Sequence, residues 1–305
     1  MGFWAWKAAT VDRLNAGAMV AQTARGELEY AIVGTGPTVL VLHGSPGGYD
    51  QGLAIVRRLS DPQFRFIAVS RPGYLRTPLD TGRSPEDQAD ALAALLDVLE
   101  VRDAALIAIS GGGPSALQFV LRHPGRCWGV VLISARTQRY IRVPPGLRIL
   151  DSVLGFSDAL GWVFEGLVEI LQRRVARTRS LRLELVQTLL PYSLRRAGRS
   201  NDTICFLDLP LYSLSEIRQP ALVIHGTADR IVSWSNAEFA AGSIPHAQLI
   251  RIPDAGHDVF FEQHLRLAPK ISEFLKAHAP TELGVPAISP SAVPSTKPSL
   301  SPRRG

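Results

Sequence analysis

The chain has 305 residues, is 46% hydrophobic and carries a formal net charge of +6, a size that suits one large α/β domain or one domain with an insertion. The positive charge is nearly all arginine, since lysine occurs only at Lys7, Lys270, Lys276 and Lys297; no basic block is long enough for a nucleic-acid tail, so the charge reads as a solvated surface and nucleic acid is not expected as a partner. Cys127 and Cys205 lie far apart, match no metal spacing and fit a reducing cytoplasm.

The start, M-G-F-W-A-W-K, has no apolar run behind a basic cluster as a secretory signal requires, and Trp6 stands where a myristoylation signal needs Ser or Thr. No stretch has the uninterrupted apolar length of a membrane span. The expected location is cytoplasmic.

Residues 1–19 are poorly patterned and form a helical or loose lead-in. Val20–Thr23 and Leu28–Val33 flank Arg25-Gly26 and read as a small hairpin. Thr38–Leu42 is a continuous apolar strand, followed directly by H-G-S-P-G-G (His43–Gly48) and a helix over Tyr49–Ser60. The strand Arg65–Val69 runs into S-R-P-G-Y-L-R-T-P (Ser70–Pro78). Ser84-Pro85-Glu86-Asp87 starts a helix: serine caps, proline takes the first turn, and the acids face the positive end of the dipole. Strands follow at Ala104–Ile109, Gly129–Ser134, Ala221–His225 and Gln248–Ile252, and Gln263–His278 is helical with Pro269 starting or kinking its main segment. Near-continuous apolar strands alternating with helices imply a mostly parallel sheet covered on both faces.

The alternation stops between Arg136 and Gln219. Asp151, Asp158, Glu165 and Glu169 form a narrow acidic stripe among Leu150, Val153, Leu154, Phe156, Leu160, Trp162, Val163, Phe164, Leu167 and Val168. A second helical segment near Ser180–Leu190 ends at Pro191. The insertion reads as a helical cap over the sheet's carboxyl edge, with Trp162, Phe164 and Leu167 as apolar walls of a substrate pocket and the charged stripe toward solvent. Its rival reading is a membrane-surface helix, because the apolar face is wide and Arg173, Arg174, Arg177 and Arg179 follow. The domain reading is therefore a lead-in at 1–19, a core at 20–135 and 219–279, a cap at 136–218, and a disordered tail at 280–305, where Pro286, Pro290, Pro294, Pro298 and Pro302 recur every fourth residue without apolar periodicity.

The stretch that carries chemistry is A-A-L-I-A-I-S-G-G-G-P-S-A-L, Ala104 to Leu117. A strand turning sharply into a helix crowds its backbone two residues either side of the apex, and Ala108 and Gly112 occupy those positions around Ser110. A serine hydroxyl is a weak nucleophile until a base takes its proton and a third group orients that base. G-T-A-D-R (Gly226–Arg230) places Asp229 just past one strand, and P-D-A-G-H-D (Pro253–Asp258) places His257 just past the next. Asp229 also reads as an ordinary cap of the following turn, and Asp202 and Asp208 lie in or near the cap. His43 and His225 read as structural, each preceding a glycine at a strand end with no paired acid in a comparable loop, and Arg71-Pro72-Gly73 as a structural turn.

In order, these motifs resemble those of the α/β-hydrolase-fold serine hydrolases with a helical cap, over about Leu28 to His278. H-G-S-P-G-G resembles the oxyanion loop. S-R-P-G-Y resembles D-R-P-G-x-G, with Ser70 replacing the acid and Leu75 the second glycine. G-T-A-D-R resembles the acid loop, and G-H-D-V-F-F-E (Gly256–Glu262) the histidine loop. The resemblance implies Ser110 as nucleophile, His257 as general base and Asp229 as the orienting carboxylate, with the backbone N–H groups of Gly111 and Ser45 as the oxyanion hole. It implies cleavage of a small-molecule ester or related acyl compound with no metal or organic cofactor. Proline iminopeptidases and carbon–carbon bond hydrolases keep the same triad, the former needing cap carboxylates such as Glu165, Glu169 or Glu184 for the substrate amine. A non-catalytic small-molecule binder is the reading from another class.

Overall fold

A computed structural model describes residues 1–140, 151–152, 155, 157–173 and 180–280. Eight strands form one sheet: β1 (Met19–Thr23), β2 (Gly26–Val33), β3 (Thr38–Leu42), β4 (Arg65–Val69), β5 (Ala104–Ile109), β6 (Cys127–Ile133), β7 (Ala221–Gly226) and β8 (Ala247–Ile252). The sheet order is β1-β2-β4-β3-β5-β6-β7-β8. The β1–β2 hairpin and the β2–β4 pair are antiparallel; every other pairing is parallel, with β5 matched to β6 from Ala105↔Gly129 to Ile109↔Ile133.

Burial on both faces follows from the strand period of two. Leu40, Leu42, Ile67, Leu106, Val130 and Val223 pack with the helices α3 (Pro85–Val98) and α4 (Gly113–Arg122). Their neighbours Val41, Ala68, Ile107, Val131 and Ile224 pack on the other side with α2 (Tyr49–Leu59) and with Ile271 and Phe274 of the C-terminal helix. β3 and β5 are buried at every position, because both lie inside the sheet with helices above and below.

Of the two forms open to the lead-in, helical or loose, the structure has the helix, α1 (Phe3–Ala16). Only Trp6 and Leu14 of α1 are buried, so its sequence carries too few inward positions to show a period; contact with the insertion holds it. The insertion after β6 contains α5 (Asp158–Arg173), α6 (Ser180–Gln187) and α7 (Arg196–Leu207). The last of these is weakly patterned and absent from the expected elements. Leu150, Val153, Leu154, Phe156, Arg174, Arg177 and Arg179 lie outside the described residues, as does the Pro/Ser-rich tail from residue 281 onward. After β7 come α8 (Ser235–Ser243) and α9 (Val259–His278). The break in α9 falls at Gln263 and not at Pro269; φ −121° and ψ 26° there separate the turn behind the histidine loop from the main helix.

The start of α3 matches its sequence signal closely. Ser84 Oγ accepts from the Asp87 N–H at 3.1 Å, and Asp87 Oδ2 accepts from the Ser84 N–H at 3.4 Å, a reciprocal box with Pro85 in the first turn. Ser84→Ala removes that cap and is expected to destabilise the protein by about 1 kcal/mol. Urea denaturation of the variant measures the loss, and an unchanged midpoint refutes it.

Candidate active site

The site is built on the carboxyl ends of β3, β5, β7 and β8. β5 delivers Ser110, which sits at φ +49°, in the left-handed region, before a tight turn over Ser110–Gly112 leads into α4. A Cβ at Gly112 would stand 2.8 Å from the His43 carbonyl oxygen and 2.9 Å from that of Leu42. These backbone atoms at the end of β3 cannot rotate away, so the elbow takes glycine there. The Ser110 carbonyl accepts from the Arg136 N–H at 2.8 Å, which ties the elbow to the segment after β6. Ser110 is largely buried, the residue being 9% exposed.

His257 Nε2 lies 3.0 Å from Ser110 Oγ, and its Nδ1 lies 2.7 Å from Asp229 Oδ2. These partners assign the proton to Nδ1, which leaves Nε2 free to accept from the serine hydroxyl. The His257 carbonyl accepts from Ser134 Oγ at 2.9 Å, anchoring the histidine loop to the end of β6. The loop after β7 brings Asp229 beneath the imidazole. Its Oδ1 accepts from the N–H groups of Ile231 (2.8 Å) and Val232 (2.9 Å), so the turn-capping role and the contact with His257 fall on the two oxygens of one carboxylate.

His225 corrects the sequence reading. Fully buried at the end of β7, it has a paired acid, and that acid is Asp229: Nε2 lies 3.2 Å from Oδ2 and 2.9 Å from the Val232 carbonyl. Burial would raise the Asp229 carboxyl above its ordinary range. Hydrogen bonds from His225 and His257 and the Val232 N–H outweigh burial and hold it well below. Because folding lowers this pKa, the acid contributes stability above the ordinary carboxylate value, about 4, and loses it as pH falls through the folded value.

Ser45 and Gly111 face each other: a Cβ on Gly111 would lie 2.7 Å from the Ser45 Cβ and 3.2 Å from the Phe206 ring. Gly111 stands at the start of a helix, where the first N–H groups lack intrahelical acceptors. The loop carrying Ser45 is held residue by residue. His43 Nδ1 lies 2.6 Å from the Gly44 carbonyl, and its Nε2 accepts from the Arg71 N–H at 2.9 Å. Burial first, and then the Arg71 charge, keep this imidazole well below its ordinary pKa and neutral. The Gly44 N–H donates to Gln51 Oε1 at 2.7 Å.

The Arg71 guanidinium donates to the His43 and Gly44 carbonyls, at 3.2 Å and 3.3 Å, and to both oxygens of Asp202 on α7, at 2.9 Å and 2.6 Å. Tyr74 links Ser45 Oγ, at 2.9 Å, to the same carboxylate. Arg71 is thus more than a turn residue, and Asp202 carries a buried ion pair; the S-R-P-G-Y motif marked the arginine, whereas nothing in the sequence marked its partner 131 positions away.

Trp162, Phe164 and Leu167 are not brought to Ser110. Two acids of the stripe expected to face solvent, Asp158 and Glu165, turn inward on α5 instead. Asp158 is buried, pairing with Lys7 at 2.8 Å and with Ser193, while Glu165 accepts from Trp6 Nε1 and Gln187, each at 2.8 Å. Trp162 packs beside Phe3, Leu190 and Tyr192 in a separate apolar cluster, and Phe164 and Leu167 are 45% and 53% exposed. Periodicity shows that a helix has two faces; the availability of polar partners decides which one turns inward. The aromatic groups beside the elbow are Phe206, at Gly111, and Tyr140, whose ring centroid lies 5.8 Å from that of Phe206 and carries the Arg136 guanidinium over its face at 3.5 Å.

This sheet, with its elbow and strand-end loops, defines a class of α/β enzymes. A model described as the alpha/beta hydrolase family matches residues 39–270, and the chain belongs to that family. It is 31% identical over 266 residues to a 2-hydroxy-6-oxononadienedioate/2-hydroxy-6-oxononatrienedioate hydrolase of Burkholderia vietnamiensis, covering 82% of this chain and 91% of the relative. Among solved structures it resembles an alpha/beta hydrolase fold protein from Nakamurella multipartita (34% identity, TM-score 0.70, 85% of this chain and 99% of that one). It also resembles a thermophilic esterase from Thermogutta terrifontis (26% identity, TM-score 0.66, 86% and 99%).

Asp202→Ala would leave the Arg71 charge buried without its carboxylate, at an expected cost of about 3–5 kcal/mol. Replacing both partners together, Arg71→Met with Asp202→Leu, is expected to recover a large part of that loss. Denaturant midpoints of the single and double variants test the pair; equal stability of Asp202→Ala and the parent chain refutes it.

Proposed function

We propose that the chain is a serine hydrolase that cleaves a carboxylic ester or related acyl compound through an acyl-enzyme. The observation that carries this reading is the continuous path from Ser110 Oγ to His257 Nε2 and from His257 Nδ1 to Asp229. As Ser110 Oγ attacks the carbonyl carbon, its proton passes to His257 Nε2. The carbonyl oxygen becomes an oxyanion held by the N–H groups of Gly111 and Ser45, each donor commonly contributing about 3 kcal/mol at the transition state. The imidazolium, stabilised by Asp229, then gives its proton to the departing alkoxide. Water enters by the reverse sequence and releases the acid and Ser110. Phe206 and Tyr140, in place of the α5 residues, supply the apolar wall beside the acyl carbon.

Carbon–carbon bond hydrolysis by the same residues is the second reading, supported by the name of the Burkholderia relative. The iminopeptidase reading loses ground, because two of its candidate acids are engaged elsewhere: Glu165 with Trp6 and Gln187, and Glu184 with Arg57 and Arg58. Burial would raise the Glu184 carboxyl, but hydrogen bonds from Arg58 and Arg57 hold it below its usual range, as an acid committed to internal ion pairs.

Ser110→Ala is expected to lower ester turnover by about four or more orders of magnitude while the fold persists. Near-normal turnover by the folded variant refutes the elbow assignment. A panel of p-nitrophenyl esters, a prolyl anilide and a 2-hydroxy-6-oxo dienoate separates the readings, since the ester proposal requires the highest kcat/KM on an ester. Asp229→Asn presents the imidazole with a side chain able to offer N–H and is expected to cost about four orders of magnitude in kcat. Retention of more than a tenth of the parent kcat removes Asp229 from the proposed mechanism. Phe206→Ala is expected to shift preference along an ester chain-length series by about 1–3 kcal/mol; an equal change for every ester counts against Phe206 as the wall.

A further inference from the structure

The carboxylate of Asp229 divides its contacts between its two oxygens. Oδ1 accepts from the Ile231 and Val232 N–H groups, while Oδ2 lies 2.7 Å from His257 Nδ1 and 3.2 Å from His225 Nε2. Two imidazoles thus meet one oxygen, and only His257 reaches Ser110. His225 Nε2 also lies 2.9 Å from the Val232 carbonyl. Both of its neighbours can only accept, so they assign a proton to Nε2. Nδ1 is buried with no partner among the described residues, and a second N–H there would be left without an acceptor. His225 is therefore the Nε2–H tautomer, a donor that brings no charge.

The two histidines differ in what carries them. His257 belongs to the loop after β8, whereas His225 lies within β7, in register with Arg251 of β8. Its ring meets Trp234 edge to face, with centroids 6.0 Å apart. The side chains of His225 and Asp229 are both 0% exposed, so water does not compete for Oδ2. Oδ1 alone would leave the carboxylate free to swing about its backbone donors. A donor carried by a strand fixes the second oxygen, and with it the plane that His257 Nδ1 meets. Burial pushes the Asp229 carboxyl up, and hydrogen bonds from His225 and His257 hold it down, so the acid keeps the charge that an imidazolium needs beside it. A cationic partner would cancel part of that charge; an uncharged imidazole orients the carboxylate and leaves its charge intact.

We propose, on the reading of the chain as a serine hydrolase, that His225 is a positioning residue: from β7 it orients Asp229 through Oδ2, and Asp229 in turn holds His257 toward Ser110. The test compares His225→Phe and His225→Leu, which carry no donor, with His225→Gln, whose side-chain amide offers an N–H. Turnover of the best p-nitrophenyl ester is expressed per folded chain, with the folded fraction read from thermal unfolding. Each donorless variant is expected to lose about ten- to a hundredfold in kcat, with KM within about twofold of the parent. His225→Gln is expected to recover most of that kcat. A role confined to packing, or to capping the Val232 carbonyl, would lower the thermal midpoint and leave kcat per folded chain at the parent value, which overturns the proposal. Equal loss of kcat in His225→Gln and the donorless variants overturns it as well. The geometry also has a readout independent of activity and of the donorless variants. Histidine 15N spectra of the parent chain are expected to show His225, identified by the signal that His225→Gln removes, as the Nε2–H tautomer; the Nδ1–H tautomer overturns the proposal. Turnover retained by Ser110→Ala removes the serine-hydrolase reading and this proposal with it. An inert Ser110→Ala beside donorless variants that match the parent leaves that reading standing and overturns the role of His225 alone.

Discussion

The buried guanidinium of Arg71 is the constraint on which the site most depends. A charge withdrawn from water must find a partner of opposite sign and acceptors for its remaining N–H groups. Here the partner is Asp202 on α7, and the acceptors include the His43 and Gly44 carbonyls of the loop after β3. One side chain therefore fixes the loop that carries Ser45 and anchors the inserted helix above it. Burial works against the charged form of Arg71, but the Asp202 carboxylate beside it more than compensates, so the side chain stays a cation. Tyr74 closes the circuit between Ser45 and Asp202. The geometry of the proposed oxyanion hole is thus set partly from the insertion.

A second consequence concerns how the reacting groups are held without one rigid element carrying them all. Ser110, Asp229 and His257 come from the ends of three parallel strands whose register is fixed by backbone ladders. Each loop is then tied individually: the elbow through Arg136, the histidine loop through Ser134, and the acid loop through its own turn and His225. Parallel strands place such loops on one edge, which is why α/β sheets gather their chemistry there.

The insertion shows a different balance. α7 is bound to the core by the Arg71–Asp202 pair, and the residue before it, Arg195, makes a two-point contact with Asp50 at 3.0 Å and 2.8 Å. α5 instead rests on α1 and α6, holds Asp158 and Glu165 inward on Lys7, Trp6, Ser193 and Gln187, and leaves an apolar stripe outside. One connection thus supplies both a fixed wall near the elbow and an outward apolar surface.

The sheet, its helices and the residues gathered at its edge were legible in the sequence because their signals are local. Strand burial on both faces appears as short continuous apolar runs, the elbow as small residues around Ser110, the α3 cap as Ser84-Pro85-Glu86-Asp87, and the loops of Asp229 and His257 as motifs one strand apart. What only the tertiary structure decided depends on partners distant in the chain. Trp6 makes α1 a docked helix by reaching Glu165; His225 joins Asp229 although it was read as having no acid; Asp202 finds Arg71; and α5 turns Trp162, Phe164 and Leu167 away from the elbow. A periodic pattern records that two faces differ, but the inward face is chosen by which side chains find hydrogen-bond and ion partners when the elements meet, and that choice is not written in any local window of sequence.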